Sequence, residues 1–165
     1  RAIAQACHDR GIVLASHDDA TRDHVDEAAD LGLHIAEFPT TLEAARASRQ
    51  AGMFILMGGP NVVRGNSHSG NVSARSLAEA DLLDIVSSDY IPFSMLQSVF
   101  ALADTVPSIS LPKAVQMVTK RPAEAVGFTD RGEIAVGKRA DLVHLRVDDG
   151  NPVVLSVWRQ GRRVL

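Results

Sequence analysis

The sequence predicts an α/β protein in which short buried strands alternate with helices to form a parallel sheet, followed by a small antiparallel β unit. Three observations predict it. Apolar runs recur between helix-like stretches at βα spacing, two of the runs end on a possible metal ligand, and from Gly132 the pattern switches to apolar-polar alternation with turn residues.

Length and composition set the frame. At 165 residues and 45% hydrophobic the chain can bury a core. A formal net charge of −3 and a pI near 6.1 give no basic footprint for nucleic acid. No apolar run reaches the roughly 18 to 20 residues that span a bilayer, and a cytoplasmic protein is expected. The single cysteine, Cys7, has no intrachain partner and is expected as a small buried helix residue. Because the sequence opens with Arg1 inside a helical pattern, it reads as part of a longer polypeptide.

In chain order, four runs qualify as strands: Ile12 to Ser16, Leu33 to Phe38, Phe54 to Gly58 and Leu83 to Ser87. Between the first two, Asp19 or Thr21 can cap a helix ending near Leu31 and Gly32. Thr40 or Thr41 opens another that stops at Gly52. After Pro92 the pattern is helical through Leu102, and again from Ser110 through Lys120, with Pro122 and Gly127 as punctuation. The remainder, Gly132 to Leu165, carries Gly-Lys, Asp-Asp-Gly-Asn and Gln-Gly turn signals of an antiparallel unit. Two divisions follow, 1–131 and 132–165. Four βα units are half of a (β/α)8 barrel, and half a barrel leaves sheet edges to be covered. The missing part of the same protein is the economical cover, and self-association into a homo-oligomer is a further expectation.

In α/β proteins chemistry gathers at the carboxyl ends of parallel strands. IVLASHDD places His17 at such an end, and DLLDIVSSDYIP places Asp89 at another. Imidazole and carboxylate suit Zn²⁺ or Mn²⁺, an open coordination position acidifies water, and Asp89 can accept a proton as general base. Glu37 lies near the end of the second strand, where it meets metal or substrate or serves a structural ion pair. His34 sits at the wrong end of that strand, and His8, His24 and His144 fall outside the strand ends. Asp18 and Asp19 orient the His17 imidazole or cap the next helix. The loop from Gly58 to Asn71 is rich in Gly, Asn and Ser, and barrels frequently bind phosphate there. Arg64, Asn66, Ser67, His68 and Asn71 are thus candidate phosphate contacts. His68 is alternatively a proton donor to the leaving group or a metal ligand. Tyr90 bonds a substrate oxygen or packs at the rim.

A histidine after one strand, an aspartate after the last, and the segment GEIAVGKRADLV from Gly132 to Val143 resemble the carboxyl-terminal half of the amidohydrolase superfamily. Within it, LASHDDAT, AEFPTTLEAAR, GGPNVVRGNSHSGNVSA and DIVSSDYIP are similar to a branch engaged in phosphonate metabolism. The resemblance implies the last four βα units of a metal-dependent (β/α)8 hydrolase barrel followed by strands of a small β-sandwich domain. It also implies that His17 matches the fifth-strand metal histidine and Asp89 the eighth-strand aspartate. The implied substrate is a phosphorylated ribosyl phosphonate, ribose 1-methylphosphonate 5-triphosphate, cleaved to the 5-phosphate and pyrophosphate. Cleavage of a C–N bond in an amide or cyclic amide is the alternative chemistry. A chain that serves only as a structural or interaction module is the alternative outside enzymes, since no HxH pair is present.

Overall fold

The computed structural model describes residues 1–65 and 70–165. The chain begins with helix α1 (Ala2–His8), and then strands and helices alternate. They are β1 (Ala15–His17), α2 (Arg22–Asp30), β2 (Ile35–Glu37), α3 (Leu42–Gln50), β3 (Phe54–Gly58), α4 (Gly59–Arg64), α5 (Ala74–Glu79) and β4 (Ile85–Ser87). The four strands form one parallel sheet in the order β1-β2-β3-β4. Helices α6 (Ser94–Thr105), α7 (Leu111–Met117) and α8 (Lys120–Ala125) follow, and then β5 (Leu142–Asp148), β6 (Asn151–Arg159) and β7 (Arg162–Arg163) form an antiparallel three-stranded sheet. No helix of the described residues is long and apolar enough to cross a membrane.

Three of the expected strands start later than their apolar runs, and helix capping is the reason for the second of them. Gly32, Gly52 and Asp81 adopt left-handed backbone with φ of 71°, 76° and 57° just past the ends of α2, α3 and α5. The next residue then turns its N–H back onto the helix: Leu33 to the carbonyl of Ala28, Met53 to Ser48 and Leu82 to Leu77. Leu33 therefore belongs to a helix end, as does Leu82 just before the expected Leu83 start, and β2 and β4 begin at Ile35 and Ile85. The run expected from Ile12 forms strand only at Ala15–His17, with Ile12 N–H bonded back to Cys7. Cys7 is half-buried and α1 has no buried residue, against the expected core position.

Alternation along each strand divides the sheet into two faces. Ala36, Ile55, Met57 and Val86 are buried under Val25 and Ala28 of α2, Ala44 and Ala47 of α3, and Leu77 of α5. Alanine at these helix positions lets the backbones approach closely. The opposite face carries His17, Glu37, Phe54, Leu56 and Ile85, and it is less enclosed. A smaller cluster of Ile35, Ile85 and Ala125 lies on this face against Val13, Phe54 and Leu56.

The tail departs from its expected start. Residues 132–141 are held by Glu133 to Lys120 at 2.8 Å, by Lys138 to the Thr129 carbonyl, and by the Arg139 N–H to the Asp130 carbonyl. Strand begins only at Leu142. The two hairpin turns are as the turn signals require, since Asp149 and Gly150 have φ of 48° and 78° and Gln160 and Gly161 have 52° and 76°. Paired positive φ values are those of two-residue type I′ turns.

Candidate active site

Register puts His17 and Glu37 side by side. β1 and β2 pair with His17 opposite Glu37, and β2 and β3 pair with Glu37 opposite Leu56. Parallel partners share a face, so both polar side chains project from the same side at the carboxyl ends of adjacent strands. His17 Nε2 stands 4.0 Å from Glu37 Oε2, while Nδ1 is 3.1 Å from Asp18 Oδ2. The Asp18 carboxylate thus lies beside one ring nitrogen at ion-pair distance and Nε2 faces Glu37; a carboxylate in that place can orient a ligating imidazole. The ring of Phe38 meets the imidazole edge-to-face at 5.3 Å and 85°. Asp18 and Phe38 have φ of 60° and 55°, and such values are uncommon for a non-glycine residue and strained for a bulky one.

Asp89 follows β4 in the same left-handed region, with φ of 49°. The turn carries its carboxylate back over the end of β3, where a Cβ on Gly58 would lie 2.7 Å from Asp89 Oδ2. Asp19 does not cap α2. Thr21 does, accepting from the His24 N–H, while Asp19 is buried and accepts from the Ser16 hydroxyl, so two enclosed polar groups satisfy each other. Thr41 caps α3. His34 immediately precedes β2, at the end of the sheet remote from Glu37.

Hydrogen bonds run from loop to loop around this rim. The Asp19 carbonyl accepts from the N–H and hydroxyl of Thr40, and the Thr40 carbonyl accepts from the Val72 N–H at 2.9 Å. Arg64, the last residue of α4, donates from Nη2 to the Tyr90 hydroxyl at 2.7 Å. All four strand ends are thus connected. Asn71 is exposed. Asn66, Ser67 and His68 lie outside the described residues.

His17 and Glu37 are two donors aimed at a common space, and nitrogen plus carboxylate oxygen fits a divalent cation. Among the described residues no group of three His, Cys, Asp or Glu gathers closely enough to hold one, so Asp89 stands apart from the pair. Phe38 and Gly58 were not singled out by the sequence. Only the Gly58-Gly59 pair at a strand end offered a signal, and nothing local marks Phe38.

The amidohydrolase family pattern matches residues 1–165, the whole chain. The chain belongs to the amidohydrolase family. Members of this family are typically metal-dependent. The chain is 57% identical over 163 residues to the alpha-D-ribose 1-methylphosphonate 5-triphosphate diphosphatase of Escherichia coli (strain K12), a match covering 98% of this chain and 43% of that protein. It is 34% identical over 102 residues to an imidazolonepropionase of Deinococcus deserti, covering 54% and 26%. A prolidase structure complexed with N-methylphosphonate-L-proline superposes with a TM-score of 0.72 at 20% identity, over 99% of this chain and 47% of that one. The N-acetylglucosamine-6-phosphate deacetylase of Pasteurella multocida gives 0.65 at 18%, over 97% and 53%. At such identities the likeness is one of fold. The chain spans less than half the length of the curated relatives it matches.

Proposed function

We propose that the chain is the carboxyl-terminal part of a hydrolase of phosphonate metabolism that splits ribose 1-methylphosphonate 5-triphosphate into the 5-phosphate and pyrophosphate. The observation that carries this reading is the 57% identity to the E. coli diphosphatase across 98% of the chain. In the same reading, residues 1–131 are the last four βα units of a (β/α)8 barrel and 132–165 are strands of a small β-sandwich domain. The parallel order β1-β2-β3-β4 supports this division, and the amino-terminal half of the same protein supplies the other four units.

In this mechanism His17 Nε2 and the Glu37 carboxylate would hold a divalent ion, zinc or manganese, and Asp89, which stands apart from that pair in the described residues, would join as a further ligand in the completed site. A bound ion supplies Lewis acidity to water and to phosphoryl oxygens. Asp89 accepts the proton that water gives up as its oxygen attacks phosphorus. As that bond forms, the bond to the departing pyrophosphate oxygen breaks. Arg64 and Asn71, with Asn66, Ser67 and His68 between them in the sequence, donate to phosphate oxygens and absorb the charge of the transferring group. An amide or cyclic amide substrate would have no use for that arginine.

The test is pyrophosphate release from the ribosyl triphosphate by the full-length protein. Intact triphosphate after incubation overturns the reading, and turnover of a cyclic amide instead favours the C–N alternative. The lack of a three-donor group among the described residues also supports a proposal about the 165 residues alone: they bind metal weakly and turn over poorly. Stoichiometric tight metal and full activity in that piece would refute it.

A further inference from the structure

We propose that Tyr90 is a positioning residue that holds Arg64 on the rim beside Asp89, and that the arginine so held recognises the polyphosphate chain of the substrate. This rests on the phosphoanhydride reading above and adds to it the element that fixes the arginine. An arginine at a helix end carries about 2 kcal/mol of rotamer entropy and would otherwise sample solvent. Here its Nη2 donates to the Tyr90 hydroxyl at 2.7 Å, which ties the loop after β3 to the loop after β4.

The choice of a phenol as partner matters. Arg49, in the last turn of α3, and Arg75, in the first turn of α5, are paired with the carboxylates of Asp84 and Glu79 at 3.0 and 2.9 Å. A carboxylate neutralises the guanidinium, whereas a neutral phenol restrains it and leaves its charge for an anion. Among the described residues no carboxylate pairs with Arg64. A guanidinium has five N–H donors, and a phenol oxygen that accepts a hydrogen bond keeps its own hydrogen to donate. Arg64 therefore keeps most of its donors after forming this bond, as recognition of a phosphate chain requires.

Packing does not explain Tyr90. The residue is 61% exposed, beside Phe93 at 68%, and it directly follows Asp89, whose φ is 49°. Tyr90 is a central residue of the turn that the Ile91 N–H closes onto the Ser88 carbonyl, and its hydroxyl is directed to Arg64.

The test uses the full-length protein with Tyr90→Phe, Arg64→Ala and the double variant, reading thermal stability, inhibition by inorganic tripolyphosphate, and KM and kcat for the ribosyl triphosphate. Tyr90→Phe is expected to raise both KM and the tripolyphosphate inhibition constant about tenfold, the effect of one hydrogen bond to a charged group, with a much smaller change in kcat and no change in melting temperature. In the Arg64→Ala background it should add nothing further. Wild-type constants in Tyr90→Phe, or an effect that adds in full to that of Arg64→Ala, overturn the positioning role while leaving the phosphoanhydride reading intact. A wild-type protein that neither cleaves the triphosphate nor is inhibited by tripolyphosphate overturns both.

Discussion

The carboxylate of Asp89 occupies the space that a side chain on Gly58 would need. A Cβ there would stand 2.7 Å from Oδ2 and 3.1 Å from the Cβ of Asp89. The φ of Gly58 is −79°, which any residue adopts, so glycine is required for room and not for backbone freedom. Gly58→Ala is expected to displace the carboxylate and lower kcat on the order of 10²-fold. The cost in stability should be about 1–3 kcal/mol from local overpacking. Turnover and denaturant unfolding measured on the same variant separate the two. Wild-type kcat in a folded Gly58→Ala protein would mean that the position of Asp89 has no part in turnover.

His17 makes a second prediction through its neighbour. Asp18 Oδ2 lies 3.1 Å from Nδ1, so Asp18→Asn removes the carboxylate that orients the ring and leaves a residue that tolerates the left-handed φ of 60°. Metal affinity is expected to fall about 10- to 100-fold, and further in His17→Ala. Competition with a chelator, read by metal content, measures both. Equal affinity in Asp18→Asn and wild type would remove Asp18 from the site.

The strand ends were legible because an apolar run that stops on a polar residue is a local signal, and it located His17, Glu37 and Asp89 at one edge of the sheet. The strand beginnings were less legible, because a residue such as Leu33 is apolar for a helix cap and resembles a strand residue in a linear reading. The rim was also hidden. Bonds such as Thr40 to Asp19, Val72 to Thr40 and Arg64 to Tyr90 join residues far apart in the sequence and obey no periodicity. Two acids in succession offered no basis for deciding which turned inward, and burial beside Ser16 decided it for Asp19.

Asp84 gives a prediction about stability alone. Its Oδ2 accepts from the Ile55 N–H at 2.8 Å and its Oδ1 pairs with Arg49 at 3.0 Å, just before β4 and away from the strand ends that carry the site. Asp84→Ala leaves a partly enclosed N–H without its acceptor, at a cost of about 1–3 kcal/mol. The urea midpoint should fall while KM is unchanged. An unshifted midpoint would mean that water replaces the carboxylate without loss.

The last prediction concerns pH. Lys113 Nζ lies 2.9 Å from Asp81 Oδ1, and the hydrogen bond it donates, with its charge and that of Arg49, holds the Asp81 carboxyl below its ordinary value of 3.8 against a small opposing effect of burial. A carboxyl whose pKa is lower in the folded state stabilises the fold above its unfolded pKa and loses that contribution as pH falls through the folded one. The pair is exposed, with the Asp81 side chain 81% accessible, so solvent and salt screen it and it contributes only about 0.2–1 kcal/mol. Asp81→Asn keeps a residue suited to the φ of 57° and removes only the charge. Wild type should exceed Asp81→Asn in unfolding free energy by that margin at neutral pH. The two should converge as pH drops below about 4, the ordinary carboxyl range, and the margin should shrink in high salt. Chemical denaturation across pH measures the difference, and a gap that widens in acid would contradict the assigned pair.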